Sequence, residues 1–128
     1  MKLISLTALL ALSVLASPAF AGEITPYSQS RFDALSASGQ PVLLAVHASW
    51  CPTCKAQRPI LDALMAKPAY QGVTALTIDF DADKPLLKRY KVGMQSTLIA
   101  YKGSHEVGRT VGDTTPAGIE SLVHKTVE

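Results

Sequence analysis

The chain has 128 residues, 48% of them hydrophobic, and carries 12 Lys and Arg against 10 Asp and Glu. That length suits one ordinary domain. A near-balanced charge with no Lys/Arg run argues against a nucleic-acid partner, and no repeat, low-complexity tract or linker divides the chain.

Lys2 gives a short basic start, and Leu3 to Ala16 is almost wholly apolar. Ser17-Pro18 breaks the run, and Ala19-Phe20-Ala21 follows with small residues where a signal peptidase reads them. This is the three-part layout of a secretory signal. The competing reading is a membrane anchor, but an apolar run of about 14 residues falls short of the roughly 20 that span a bilayer. The expectation is therefore a signal peptide over 1–21, cut after Ala21, and one domain over 22–128. No Cys follows the small residues, so no lipoprotein attachment is expected. With Lys2 removed, 11 basic residues face 10 acidic ones, and no later stretch is long enough to span a membrane. A soluble exported monomer, in a bacterial periplasm, is the expected form.

Ser28 to Ser38 reads as a helix with Phe32 and Leu35 on one face, Gly39 as a stop and Pro41 just beyond. Val42-Leu43-Leu44-Ala45-Val46 is continuously apolar, which suits a strand buried on both faces. Pro52 fits the first position of a helix, where a missing N–H costs nothing. Ile60, Leu61, Leu64 and Met65 fall on one face of that helix, and Pro59 inside it should bend it. Val73 to Phe80 reads as the next buried strand. Asp83 is placed to cap a short helix carrying Leu86, Leu87 and Tyr90. Thr97 to Tyr101, the turn Lys102-Gly103-Ser104 and Glu106 to Val111 form a hairpin. Thr115-Pro116 looks like a cap and first residue of a last helix, with Ile119, Leu122, Val123 and Val127 as its stripe. Helical crossovers imply parallel strands and the hairpin adds an antiparallel edge, so the fold class is α/β, a mixed sheet flanked by helices.

Cys51 and Cys54 are the only cysteines. A disulfide between them closes a very small loop, and chain-entropy stabilisation grows with loop size, so the pair is a weak staple. Its position between a buried strand and a helix points to chemistry instead. Cys51 sits at a helix N-terminus, where orphan N–H groups and the macrodipole favour an anion, so its thiolate should form below the usual cysteine range. Cys54 lies about one turn inside, and is expected to be the more buried of the two. Cys51 can attack a substrate disulfide and Cys54 can then release the product, a reaction that needs no cofactor. Two other readings stand beside this one. The pair could be half of a metal site, as in a copper or zinc carrier, although zinc usually takes four ligands and His47, His105 and His124 lack ligand spacing to it. It could also be an inert disulfide.

Ala48-Ser49-Trp50-Cys51-Pro52-Thr53-Cys54-Lys55 is followed by Pro59-Ile60-Leu61, Thr77-Ile78-Asp79, Ser96-Thr97-Leu98, Tyr101-Lys102-Gly103 and Val111-Gly112. On these residues the chain resembles the thioredoxin family over nearly all of 22–128. The resemblance implies a thioredoxin-like fold, with Cys51 as nucleophile, Cys54 as resolving cysteine and Trp50 as a platform. Pro52, Thr53, Ser96 and Thr97 are the expected supporting residues. It also implies protein disulfides as substrates, reduction more than oxidation, and a membrane electron-relay protein as donor. The short connection Lys67 to Gly72 leaves no room for the helical insertion of DsbA-type oxidases.

Three departures from the family pattern bear on mechanism. Ser96 stands where the family usually has a cis-proline; a non-proline cis bond costs about 2.5–4 kcal/mol, so Gln95-Ser96 is expected to be trans. The family's buried acid aligns with Ala45, and its lysine partner with Ala75. The proton route at the resolving cysteine must therefore differ, with His47 or water as candidates. Ser96 is expected to face both sulfurs, with a hydroxyl able to stabilise a thiolate, and Ser96→Pro is expected to leave the fold intact.

Overall fold

The computed structural model describes residues 22–128, so the expected signal segment lies outside the described residues. The elements in chain order are β1 (Glu23–Pro26), α1 (Gln29–Ala37), β2 (Pro41–His47), α2 (Pro52–Met65), a single 3-10 turn (Pro68–Tyr70), β3 (Thr74–Asp79), α3 (Lys84–Arg89), β4 (Thr97–Lys102), β5 (His105–Val111) and α4 (Pro116–His124). They build one five-stranded sheet in the order β1-β3-β2-β4-β5. β1, β3 and β2 run parallel, while β2–β4 and β4–β5 are antiparallel. This is the expected mixed sheet.

Strand alternation sorts the core. Leu43 and Ala45 face one side of the sheet with Ala75, Leu98 and Ala100, where Leu61, Leu64 and Met65 of α2 and Ile119, Leu122 and Val123 of α4 cover them. Val42, Leu44 and Val46 face the other side with Leu76, Ile78 and Ile99, under Phe32 and Leu35 of α1 and Leu87 of α3. The apolar run Val42 to Val46 is thus covered on both faces. α1 is capped by Ser28, whose hydroxyl accepts the Arg31 N–H at 3.1 Å, and the chain leaves it through Gly39, whose φ of +69° suits glycine. α2 runs unbroken through Pro59.

Four details differ from the sequence reading. β1 was not expected: it is four residues long, ends in Pro26 and pairs only with β3, so it offers no period to detect. The connection after α2 contains the 3-10 turn, which buries Tyr70 against the α2–α4 core. Asp83 occupies the N-cap position of α3, but its carboxylate accepts the Asp79 N–H at 2.9 Å instead of capping its own helix. Val127 lies past the end of α4 and is exposed, so the apolar stripe stops at Val123. Among the described residues no helix is long and apolar enough to cross a membrane.

Ile119 is fully buried between α4 and the sheet face that carries α2. Ile119→Ala should destabilise the fold by about 2–5 kcal/mol in chemical denaturation, with the denaturant slope unchanged. A loss below about 0.5 kcal/mol, the usual size of a surface substitution, would contradict this packing.

Candidate active site

β2 delivers the chain to the site. After His47 the backbone turns, with the Cys51 N–H donating to the Ala48 carbonyl at 3.2 Å, and α2 starts at Pro52. Cys51 is the N-cap residue, extended at φ −88° and ψ 109°, and its Sγ accepts the Cys54 N–H at 3.1 Å. Sulfur here takes the place that a Ser or Asp oxygen takes in an ordinary cap, meeting one of the orphan donors of the helix. Cys54 is three residues on, and the two form a disulfide with Cα atoms 5.3 Å apart.

Ser96 closes the site from the β4 side. Its hydroxyl is 3.1 Å from Cys51 Sγ and 3.0 Å from Cys54 Sγ, and the residue is 2% exposed. Among the described residues no peptide bond is cis, as expected for Gln95-Ser96, but Ser96 takes φ +61°. A left-handed conformation costs a non-glycine residue about 1–2 kcal/mol. Backbone partners hold it there: the Ser96 N–H donates to the Val46 carbonyl at 2.9 Å, and its carbonyl accepts the Gly112 N–H at 3.0 Å. Ser96→Pro therefore has to change the backbone at this point. Proline is fixed near φ −65° and has no N–H, so it fits neither the conformation nor the bond to Val46.

Gln57 was missed by sequence reasoning. It is 3% exposed, and its amide nitrogen donates to the Ser96 carbonyl at 3.2 Å and the Asp113 carbonyl at 2.9 Å. One side chain of α2 thus ties the cysteine helix to the Ser96 backbone and to the segment after β5. The signal was present: Cys54, Gln57, Leu61 and Leu64 are all buried at helical spacing, and a glutamine in such a stripe needs partners.

The exposure of the sulfur residues reverses the expectation. Cys51 is 1% exposed and Cys54 is 9% exposed. Cys51 packs in a small cluster with Ala48 and Cys54, against which the partly buried Phe80 rests, and it faces Ser96. Beside Cys54, Ala45 contributes only a methyl group, and a cleft of about 520 Å³ opens there, lined by Cys54, Ala45, His47, Lys55, Arg58 and Thr77 among others. His47 is exposed at the end of β2 and shares this cleft with Cys54.

Trp50 stands on the outer side, half exposed, with its indole N–H donating to Asp81 Oδ2 at 2.7 Å and its ring edge-on to Phe80. The turn carrying Asp81 is organised by Asp79, whose Oδ1 accepts the N–H groups of Ala82 and Asp81; these bonds hold the Asp79 carboxyl below its ordinary titration range. Pro52 is exposed and Thr53 half-buried in the first turn of α2. Thr97 is buried, but its hydroxyl donates to the Met94 carbonyl, away from the sulfurs. The structure therefore brings together Cys51, Cys54 and Ser96, places Trp50 beside them, and turns Thr97 away. Among the described residues no group of three or more His, Cys, Asp or Glu could hold a metal ion.

A mixed sheet with a C-x-x-C disulfide at a helix N-terminus defines the class: a thiol–disulfide oxidoreductase. The family profile described as Thioredoxin matches residues 23–125. The chain is 38% identical to a thioredoxin of Chlamydia muridarum over 98 residues, covering 77% of this chain and 93% of that protein. It is 32% identical over 98 residues to the thiol:disulfide interchange protein DsbE of Yersinia pestis, covering 74% of this chain and 50% of that one. Among solved structures, Trxlp from Edwardsiella tarda superposes with a TM-score of 0.76 at 40% identity, covering 78% of this chain and 97% of that one. The chain belongs to the thioredoxin family.

Gln57→Leu should lower stability by about 1–3 kcal/mol, because the Asp113 carbonyl loses its side-chain donor inside the fold. It should also speed hydrogen exchange at the Ser96 amide, whose geometry Gln57 helps to hold. An unchanged Ser96 exchange rate together with unchanged stability would show that Gln57 does not secure the site.

Proposed function

We propose that this chain is an exported dithiol reductase of protein disulfides, with Cys51 as nucleophile, Cys54 as resolving cysteine and Trp50 as the flanking platform. The observation that carries the reading is the position of Cys51 Sγ, which accepts the Cys54 N–H at the start of α2 with the Ser96 hydroxyl in reach of both sulfurs. Both donors favour a thiolate over a thiol at Cys51.

In the reduced pair the Cys51 thiolate attacks one sulfur of a substrate disulfide. That bond breaks, the departing substrate sulfur leaves as a thiolate and takes a proton, and a mixed disulfide links Cys51 to the substrate. Cys54 then loses its proton and attacks Cys51 Sγ, releasing the second substrate thiolate and leaving the pair oxidised. Two electrons have passed from the pair to the substrate, and a dithiol relay at the membrane is the donor that the family resemblance implies. With Ala45 in place of an acid, no carboxylate stands beneath Cys54 to take its proton. The Ser96 hydroxyl carries one donor and two lone pairs, so it can donate to the Cys51 sulfur while accepting from the Cys54 thiol. The cleft beside His47 gives that proton a way out to solvent.

Among the described residues no further His, Cys, Asp or Glu joins the pair, so the zinc form of the metal-carrier reading lacks the four ligands that zinc usually takes. The layout of residues 1–21 supports export. Protein recovered from a periplasmic fraction should begin at Gly22, and an intact Met1 would reject cleavage.

Cys54→Ser should trap mixed disulfides with protein substrates, and Cys51→Ser should not. Equal trapping by the two variants, or trapping by Cys51→Ser alone, would reverse the assignment of roles.

A further inference from the structure

We propose that the cleft on the Cys54 side is a second entrance to the sulfur pair, one that takes a small thiol carrying a carboxylate and brings it to Cys54 instead of Cys51. This rests on the dithiol oxidoreductase reading above.

The cleft, about 520 Å³, falls within the range of small-molecule pockets, and Cys54 lines it while Cys51 does not. Ala45, Ile24 and Leu61 give it apolar walls, and Thr77 adds a hydroxyl. Its Lys and Arg lining is of one sign, Lys55 and Arg58 from the exposed side of α2, with the imidazole of His47 beside them and no Asp or Glu. Arg58 also pairs with Asp62 at 2.9 Å, an exposed carboxylate outside the lining, so Lys55 is the cation most free to meet a ligand. A wall of this kind suits an apolar body of a few carbons that ends in an anion, and walls of one charge sign raise the local concentration of the opposite one. The exposure of the two cysteines agrees, since Cys54 is the more open of the pair.

The chemistry favours attack at Cys54. A small thiolate that bonds to Cys54 Sγ breaks the disulfide and expels Cys51 as a thiolate. Disulfides break faster toward the sulfur that is the better leaving group, and Cys51 is the one held by the Cys54 N–H and near the Ser96 hydroxyl. A second small thiolate then attacks the ligand sulfur of the mixed disulfide and expels Cys54, which takes a proton. Two small thiols become one small disulfide, and the protein pair gains two electrons and two protons. The cleft thus gives the pair a source of electrons separate from the protein-facing side, where Trp50 stands.

Single-cysteine proteins test this in the reverse direction, free of the internal disulfide. Cys51→Ser leaves Cys54 alone, and Cys54→Ser leaves Cys51 alone. Each is mixed with the disulfide of 3-mercaptopropionate or with the disulfide of uncharged 2-mercaptoethanol, and adduct formation is followed by mass. At Cys54 the charged probe should react about tenfold faster than the neutral one, the low end of electrostatic rate enhancement. The preference should vanish when Lys55→Ser and Arg58→Ser, both exposed positions, are added to Cys51→Ser. At Cys51 the preference should be absent. Equal rates for the two probes at Cys54, an equal preference at Cys51, or a preference that survives removal of both cations would overturn the second entrance while leaving the dithiol mechanism standing. Failure of both cysteines to exchange with either probe would instead sink the oxidoreductase reading on which it rests.

Discussion

The working geometry depends on how Ser96 is held. Its hydroxyl lies about equally close to the two sulfurs only because its backbone occupies the left-handed region, and that conformation persists only because Val46, Gly112 and Gln57 each secure one of its polar groups. Those three partners come from β2, from the segment after β5, and from α2. The cost of the conformation, about 1–2 kcal/mol, is of the same order as the net worth of two ordinary hydrogen bonds. Local strain at the sulfur pair is thus offset by the sheet and by the cysteine helix itself.

That arrangement also explains how the pair can work without the acid and lysine of the family pattern. Ala45 and Ala75 remove a buried ion pair, and with it the desolvation cost that such a pair carries. A hydroxyl replaces the carboxylate as the polar group at the sulfurs. It cannot hold a proton as a carboxylic acid does, but it can pass one between donors and acceptors on its two sides. The side of the site where Ala45 stands in place of the acid opens into the cleft lined by His47, Lys55 and Arg58.

Much of this was legible in the sequence, for identifiable reasons. The run Val42 to Val46 could only be a strand covered on both faces, and it ends just before the cysteines, so the strand–turn–helix placement of Cys51 and Cys54 followed directly. The serine facing them followed from the resemblance to the thioredoxin family, in which the residue just before the Thr97-Leu98 strand faces the cysteines. What escaped was information that sequence order does not carry. β1 is too short to show a period and is a strand because β3 offers it an edge. The φ of Ser96 is set by three partners distant in the chain. Gln57 sat in a stripe read only for its apolar members. The relative exposure of the cysteines was read from helix position, whereas it depends on the surroundings: the cleft beside the small side chain of Ala45 reaches Cys54 and not Cys51.

Burial alone would raise the pKa of Cys51, whereas the donors aimed at its sulfur lower it. The account holds that the donors prevail, and titration of the Cys51 thiol in the reduced protein, followed by thiolate ultraviolet absorbance, tests this directly. The predicted midpoint lies clearly below about 8.5, the value of a free cysteine, and moves upward in Ser96→Ala. A midpoint at or above that value, unmoved by loss of the Ser96 hydroxyl, would contradict the account.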